Sequence, residues 1–458
     1  MNNMQTGCHE FRRQYHLHRR DLLKVGGAGL FGLSWPVLFK AQEARAAHTD
    51  GTTLGEPKAK QMVIVWCSGG LSHHDSFDMK PDAPEAIRGP WQPTQTNVPG
   101  LQISELMPSL AQVADKFTIV RSCNAKGYPQ EGQHGIPAAW AFLTGTRRDT
   151  LRRKPNSPQS PLYGSVMAKF RPGPGDVPHY VTVSSSRSHE SMLGPAFDPM
   201  EIKVDDPNDK LVRMLAPPAD RLDVPTLSRR AELLKSVDRQ LRRFDAAESL
   251  IAGMDKFKQR AFDLLRSPKL REALDIDSEE PKSAERYKYD RNSKRVLAAR
   301  RLIEAGVPCV HVDFNGGWDW HGGNNLKRGG NDLTSLAGSV AALIEDLDAR
   351  GLLESTIVMV GSEMGHTPKI NRPGFGREHW NDAQSFLLAG GGVAGGCVVG
   401  ATDDIGAFVT KDYYNASSLA RTIYNRLGID PDHEIYTEDR RPVKIVPDDA
   451  ALIKEAMA

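Results

Sequence analysis

The run Gln61-Met62-Val63-Ile64-Val65-Trp66-Cys67, followed at once by Ser68-Gly69-Gly70, decides the fold class. Met62 to Cys67 are apolar without alternation, which is the pattern of a strand buried on both faces rather than on one. Such strands belong to parallel sheets covered by helices. An uninterrupted apolar strand recurs at Thr356–Val360, and Val307–Phe314 reads as a β-branched strand, with shorter strands predicted at Phe117–Val120, Tyr180–Ser184 and Ser385–Ala389. Between them the spacing predicts helices over Leu106–Ala114, Ala138–Thr144, Ser293–Ala305 and Asp332–Arg350, with Gly306 just past the third. Strands alternating with helices predict an α/β fold with a largely parallel, helix-covered sheet.

Composition sets the outer bounds. A chain of 458 residues buries one large core with an insertion, or two domains. Lys plus Arg number 59 against 57 Asp plus Glu, a net charge of +2 that excludes a dedicated nucleic-acid binder, which needs a basic face. The 41 glycines and 30 prolines imply long, shaped loops.

The first residues carry an address. His18-Arg19-Arg20-Asp21-Leu22-Leu23-Lys24 reads as a twin-arginine signal, Val25–Phe39 as its apolar run and Ala44-Arg45-Ala46 as its cleavage site. The alternative is a basic amphipathic helix that stays attached. Residues 1–46 are thus expected to be a signal peptide, read by the twin-arginine export machinery, with the protein exported to the periplasm or cell surface. Residues 47–60 read as a linker and 61–458 as the main domain. Within it, helical spacing at Leu233, Leu234, Val237, Leu241 and Phe244 predicts a helical insertion over about 224–292. No later segment approaches the roughly 20 apolar residues of a spanning helix, so no stable membrane span is expected after cleavage. Of the five cysteines, Cys8 leaves with the signal. Cys67, Cys123, Cys309 and Cys397 lack C-x-x-C spacing and read as buried free thiols.

Open α/β sheets bind ligands beyond the carboxyl ends of their strands. Three predicted strand ends carry carboxylate and imidazole together: Ser72-His73-His74-Asp75-Ser76-Phe77-Asp78, Trp318-Asp319-Trp320-His321, and the stretch from Glu363 to His379. Carboxylate oxygen and imidazole nitrogen suit zinc, manganese or iron. The bland alternative makes Asp319 a turn cap and His321 a solvated side chain. His134, in Glu131-Gly132-Gln133-His134-Gly135-Ile136-Pro137, sits at a predicted helix start, where backbone N–H groups favour an anion. Gly390-Gly391-Gly392-Val393-Ala394-Gly395 matches a dinucleotide fingerprint, but Gly396–Gly400 reads as a strand where a helix is required, so a glycine turn is expected. No G-x-S-x-G occurs. Asn415-Ala416-Ser417 matches a glycosylation pattern.

Several of these pieces occur together in one known family: Gly69-Gly70-Leu71 through Asp78, His134 to Leu143-Thr144-Gly145, Ala299-Arg300-Arg301-Leu302-Ile303-Glu304-Ala305-Gly306-Val307, Gly317–His321, Glu363-Met364-Gly365-His366-Thr367-Pro368 and Gly376-Arg377-Glu378-His379-Trp380. On them the chain resembles the bacterial family called domain of unknown function 1501, over almost its full length after the signal. That family is similar to the alkaline phosphatase and sulfatase superfamily. The resemblance implies a three-layer α/β/α sandwich with metals at one sheet edge. It implies Asp319 and His321 as one metal's ligand pair, His379 completing it, and Glu363 as the second metal's carboxylate; Asp75 or His73 is expected to assist in holding metal. It implies His134-Gly135 at the position of the superfamily's Ser, Thr or Cys nucleophile. Cys67-Ser68 stands near its strand-one aspartate, Glu363-Met364 replaces its Asp-His pair, and His366 stands where arginine is usual.

The expected protein is an exported hydrolase of phosphate or sulfate esters, acting on an anionic small molecule or a glycan with a divalent metal (zinc, manganese or similar). His134 or metal-activated water attacks. Arg121, Arg377 and His73 bind the substrate, since guanidinium forks match tetrahedral anions. The alternative is a non-catalytic binding module on the same fold, for a cell-surface glycan or a co-exported partner. An exported oxidoreductase is the third reading, suggested by the export route and the glycine run.

Overall fold

In a computed structural model the residues described are 57–125, 136–146, 160–184, 191–204, 267–288, 290–321, 325–371, 376–437, 440–448 and 450–458. Gln61–Trp66 forms strand β1, and its side chains divide as the pleat requires. Val63, Val65 and Cys67 enter one core, while Met62, Ile64 and Trp66 enter a second on the opposite face. The remaining strands of the main sheet are β2 (Phe117–Cys123), β3 (Tyr180–Val183), β4 (Met200–Ile202), β5 (Cys309–Asp313), β6 (Thr356–Gly361), β7 (Gln384–Ala389) and β8 (Cys397–Val399). Their order across the eight-stranded sheet is β8-β2-β7-β6-β1-β5-β3-β4. All run parallel except β7, which is antiparallel to both neighbours.

Helices α1 (Ile136–Thr144), α2 (Tyr163–Phe170) and α5 (Ala416–Leu427) pack on the core of Met62, Ile64 and Trp66. Helices α3 (Arg291–Glu304) and α4 (Asn325–Ala349) pack on the other. The result is the three-layer α/β/α sandwich. Asp290 caps α3 in a capping box with Ser293, and Gly306 ends it at φ 96°, a conformation glycine adopts without strain. Asn415 accepts from the Ser418 N–H at 3.0 Å. The Asn-Ala-Ser pattern therefore has a structural reading as the start of α5.

Adjacency of β6, β1 and β5 positions the site. All three run in one direction, so the loops after Trp66, Asp313 and Gly361 leave from the same edge, side by side. Gly390, Gly391 and Gly392 all take positive φ, and β8 follows them, so this run is a turn and not a nucleotide cradle.

The structure also departs from the sequence reading. The short edge strand β4 was not foreseen, as three residues give little periodicity. Glu279, within the expected insertion, takes Arg300 and Arg301 at 2.5 Å each. Arg300 is itself buried and also approaches Asp346 of α4 at 3.6 Å. The Ala299–Val307 motif thus owes its arginines to packing between helices. Cys67, Cys123 and Cys309 are buried free thiols, whereas Cys397, on the edge strand, is only half-buried. Most of the expected helical insertion and all of residues 1–56 lie outside the described residues. Gly55–Ala458 forms one compact unit. Among the described residues no helix is long and apolar enough to cross a membrane.

Candidate metal centre

The loop after β5 alternates in and out. Trp318 and Trp320 are fully buried, their rings stacked 6.0 Å apart, and the Trp318 indole N–H donates to the Phe314 carbonyl at 2.8 Å. Gly316 and Gly329 make room for them, since a Cβ there would lie 2.7 Å from Trp318 Nε1 and 2.4 Å from Trp320 Cζ2. With the two indoles as anchors, the intervening side chains turn outward: Asp319 is 46% exposed and His321 36%. The hairpin of Gly365–His366 with His379–Trp380 supplies the third group, His379. One ligand atom from each of Asp319, His321 and His379 lies within 4.8 Å of the others. His379 Nε2 stands 3.3 Å from Asp319 Oδ1, and His321 Nε2 contacts the same oxygen.

Two imidazoles and a carboxylate form a donor set for a first-row divalent ion, and three protein ligands leave a position open. The hydrogen bonding fits that use. His321 Nδ1 lies 2.5 Å from Glu378 Oε2 and Nε2 contacts Asp319 Oδ1, so each ring nitrogen faces a carboxylate oxygen. A cation taken up at Nε2 would leave the ring proton on Nδ1, where Glu378 accepts it. Asn371 Nδ2 donates to the other oxygen of Glu378 and also approaches the His321 carbonyl at 3.4 Å. The Arg377 N–H donates to the Trp320 carbonyl at 2.6 Å. The loops bearing Asp319–His321 and His379 are thus tied together beside the cluster.

The loop after β1 has the same residue types and a different fate. Asp75, expected as a metal ligand, instead pairs with Arg377, whose Nε and Nη2 donate to its two oxygens at 2.8 and 3.1 Å. Both side chains are almost fully buried, at 2% and 1% exposed. Arg377, expected to bind substrate, also donates to the carbonyls of Thr367, Pro368 and Ile87. Its donors are consumed in holding three chain segments together. Arg121, the other expected anion holder, approaches Asp78 at 3.6 Å and donates to the Gln102 carbonyl at 3.2 Å. Arg377 is held in this way because a buried guanidinium is stable only when its donors are met, whereas Arg121 is 23% exposed and makes fewer contacts.

His73 is buried rather than presented to a substrate, with Nε2 2.8 Å from the Gly406 carbonyl. His74 stacks on it at 4.2 Å, and His366 lies buried behind the hairpin against Trp320. Burial lowers the basicity of all three, most at His74 and His366, so they are neutral imidazoles near pH 7. Glu363 is buried outside the three-atom cluster. Its Oε1 accepts from the Gly69 N–H at 2.7 Å, and a Cβ on Gly69 would stand 3.1 Å from the Asp319 nitrogen. His134 lies outside the described residues. Sequence reasoning overlooked Glu378 and Asn371. The signal for Glu378 was its place immediately before His379.

No curated protein matches this chain. Among solved structures it is similar to the lipoteichoic acid synthase LtaP from Listeria monocytogenes, at 11% identity and TM-score 0.34, over 82% of this chain and 74% of that one. It is similar to alkaline phosphatase from the Antarctic bacterium TAB5, at 11% identity and TM-score 0.36, over 82% and 99%. It is also similar to the PsFucS1 sulfatase from Pseudoalteromonas sp., at 11% identity and TM-score 0.37, over 85% and 72%. The model of the family described as "Protein of unknown function (DUF1501)" matches residues 59–457, and the chain belongs to that family.

Proposed function

We propose that this protein is an exported, metal-dependent hydrolase of phosphate or sulfate esters, acting on an anionic small molecule or a glycan. The observation that carries the metal part is the convergence of Asp319, His321 and His379 at the strand-end edge. The substrate class rests on the motif resemblance to phosphatases and sulfatases. A divalent ion held there supplies Lewis acidity to the ester's oxygens and to a water molecule. Asp319 and His379 bind, and Glu378 keeps the His321 Nε2 lone pair available. Glu363, one shell away through Gly69, is the proposed carboxylate for a second ion. Asp75, Arg377 and Arg121 have no place in this chemistry beyond holding the loops. His134 or water makes the attack on phosphorus or sulfur, and His134→Ala separates the two. Residues 1–46 are proposed as the twin-arginine signal, with the periplasm or cell surface as destination.

A screen of aryl phosphates, aryl sulfates and phosphodiesters with zinc or manganese tests this. Turnover that disappears in His321→Ala supports it. Turnover unchanged in that variant sinks it.

A second reading is favoured by one observation, the engagement of Arg377 in a buried pair with Asp75 and of Arg121 with Asp78. On that reading the fold is a binding module for a cell-surface glycan or co-exported partner. Glycan binding with no turnover on any ester of the screen would establish it.

A further inference from the structure

We infer that Glu378 is a positioning residue for the metal centre: it fixes the tautomer and orientation of His321 and thereby sets metal affinity. The inference rests on the proposed metal reading of Asp319, His321 and His379.

The geometry is specific. The imidazole of His321 has two nitrogens facing opposite ways. Nε2 contacts Asp319 within the cluster, and Nδ1 meets Glu378 Oε2 at 2.5 Å. An ion bound at Nε2 takes that nitrogen's lone pair and requires the ring proton on Nδ1, where the Glu378 carboxylate stands to accept it. The other tautomer would aim N–H at the ion and present no ligand. Ligating histidines generally donate their second N–H to a carboxylate or carbonyl in this way.

Glu378 is itself held in place. Its Oε1 accepts from Asn371, its backbone N–H donates to Thr367 Oγ1 at 3.0 Å, and its carbonyl accepts from the Thr367 N–H at 2.8 Å. It lies between Arg377, locked to Asp75, and His379, a proposed ligand. One short segment thus carries a structural anchor, an orienting group and a ligand in succession. The Glu378 side chain is 52% exposed, so a core-packing role does not account for its contacts.

The test is Zn²⁺ and Mn²⁺ binding to metal-free protein, measured by competition with a chromophoric chelator, for the native chain, Glu378→Ala, Glu378→Gln and His321→Ala. Loss of an outer-shell partner weakens binding about 10- to 100-fold. Glu378→Ala is expected in that range, and His321→Ala beyond it. The ¹⁵N shifts of the His321 ring without metal give a readout that a merely structural role would not move. They should report a smaller share of the ring protonated at Nδ1 in Glu378→Ala than in the native chain, because Asp319 still offers an acceptor at Nε2. If native protein binds neither ion, the metal reading itself fails. If it binds and Glu378→Ala binds equally well with an unchanged His321 tautomer, the metal reading stands and the Glu378 inference is overturned. Should Glu378→Ala misfold, Glu378→Gln carries the same comparison, with weaker binding expected and native affinity contradicting.

Discussion

Two neighbouring loops of this protein carry nearly the same letters and do opposite things. After β1, His73, His74 and Asp75 turn inward: the aspartate is locked to Arg377 and the histidines are buried, neutral and packed against glycine backbone. After β5, Asp319 and His321 are kept outward by the two buried tryptophans that flank them, and His379 joins them from the hairpin. Residue type does not separate the buried structural cluster from the proposed metal cluster. The presence of a buried counter-ion on one side, and of convergent, partly exposed ligand atoms on the other, does.

That contrast is easiest to break at Arg377. Replacing it with alanine leaves Asp75 charged and unpaired in the interior, a change that costs about 3–5 kcal/mol, and a urea unfolding curve should show it. A variant as stable as the native chain would mean that Asp75 reaches solvent or a cation, and would restore it as a candidate ligand. Next in size is Gly365→Ala, at the seam of the two regions. An added Cβ would stand 2.2 Å from the Ala383 carbonyl oxygen and 2.5 Å from His73 Nδ1. A loss of about 1–3 kcal/mol is expected from such overpacking, visible as a lower thermal midpoint.

Acid sharpens the comparison further. His73, His74 and His366 hold folded-state pKa values below the ordinary 6.5, because burial disfavours the imidazolium. Below pH 6.5 the unfolded chain therefore binds more protons than the folded one. Stability is full above that pH and falls as pH drops through the depressed folded values. Urea midpoints at pH 7.5 and pH 5 should differ in that direction, and His74→Gln should reduce the difference. The smallest stability effect belongs to Asp319→Ala. Its own side chain is 46% exposed, so the loss should stay under about 1 kcal/mol, although the proposed metal site would be lost. A large loss would make Asp319 structural.

The fold was legible because decisive strands contain unbroken apolar runs: Met62–Trp66 of β1 and Ile357–Val360 of β6 need no partner to be recognised. The Asp319–His321 pair was legible as a candidate for a local reason, two ligand-type residues alternating with two tryptophans on one short loop. The partnership of Asp75 with Arg377 was not, since 302 residues separate them and nothing local says which carboxylate finds a buried cation. Glu378 escaped for the same cause, with its histidine 57 residues away. Patterning reports what a segment buries. It does not report which distant charge it meets, and that meeting divides the two clusters here.

The central claim is that the open cluster holds a metal and the buried one does not. Elemental analysis of the natively exported protein, alongside His321→Ala and His74→Gln, tests it directly. The account predicts about one equivalent or more of a transition metal in the native chain and in His74→Gln, and well under one in His321→Ala, since each structural ligand of a three-residue site is needed. Metal retained in His321→Ala and lost in His74→Gln would contradict it and exchange the roles of the two clusters.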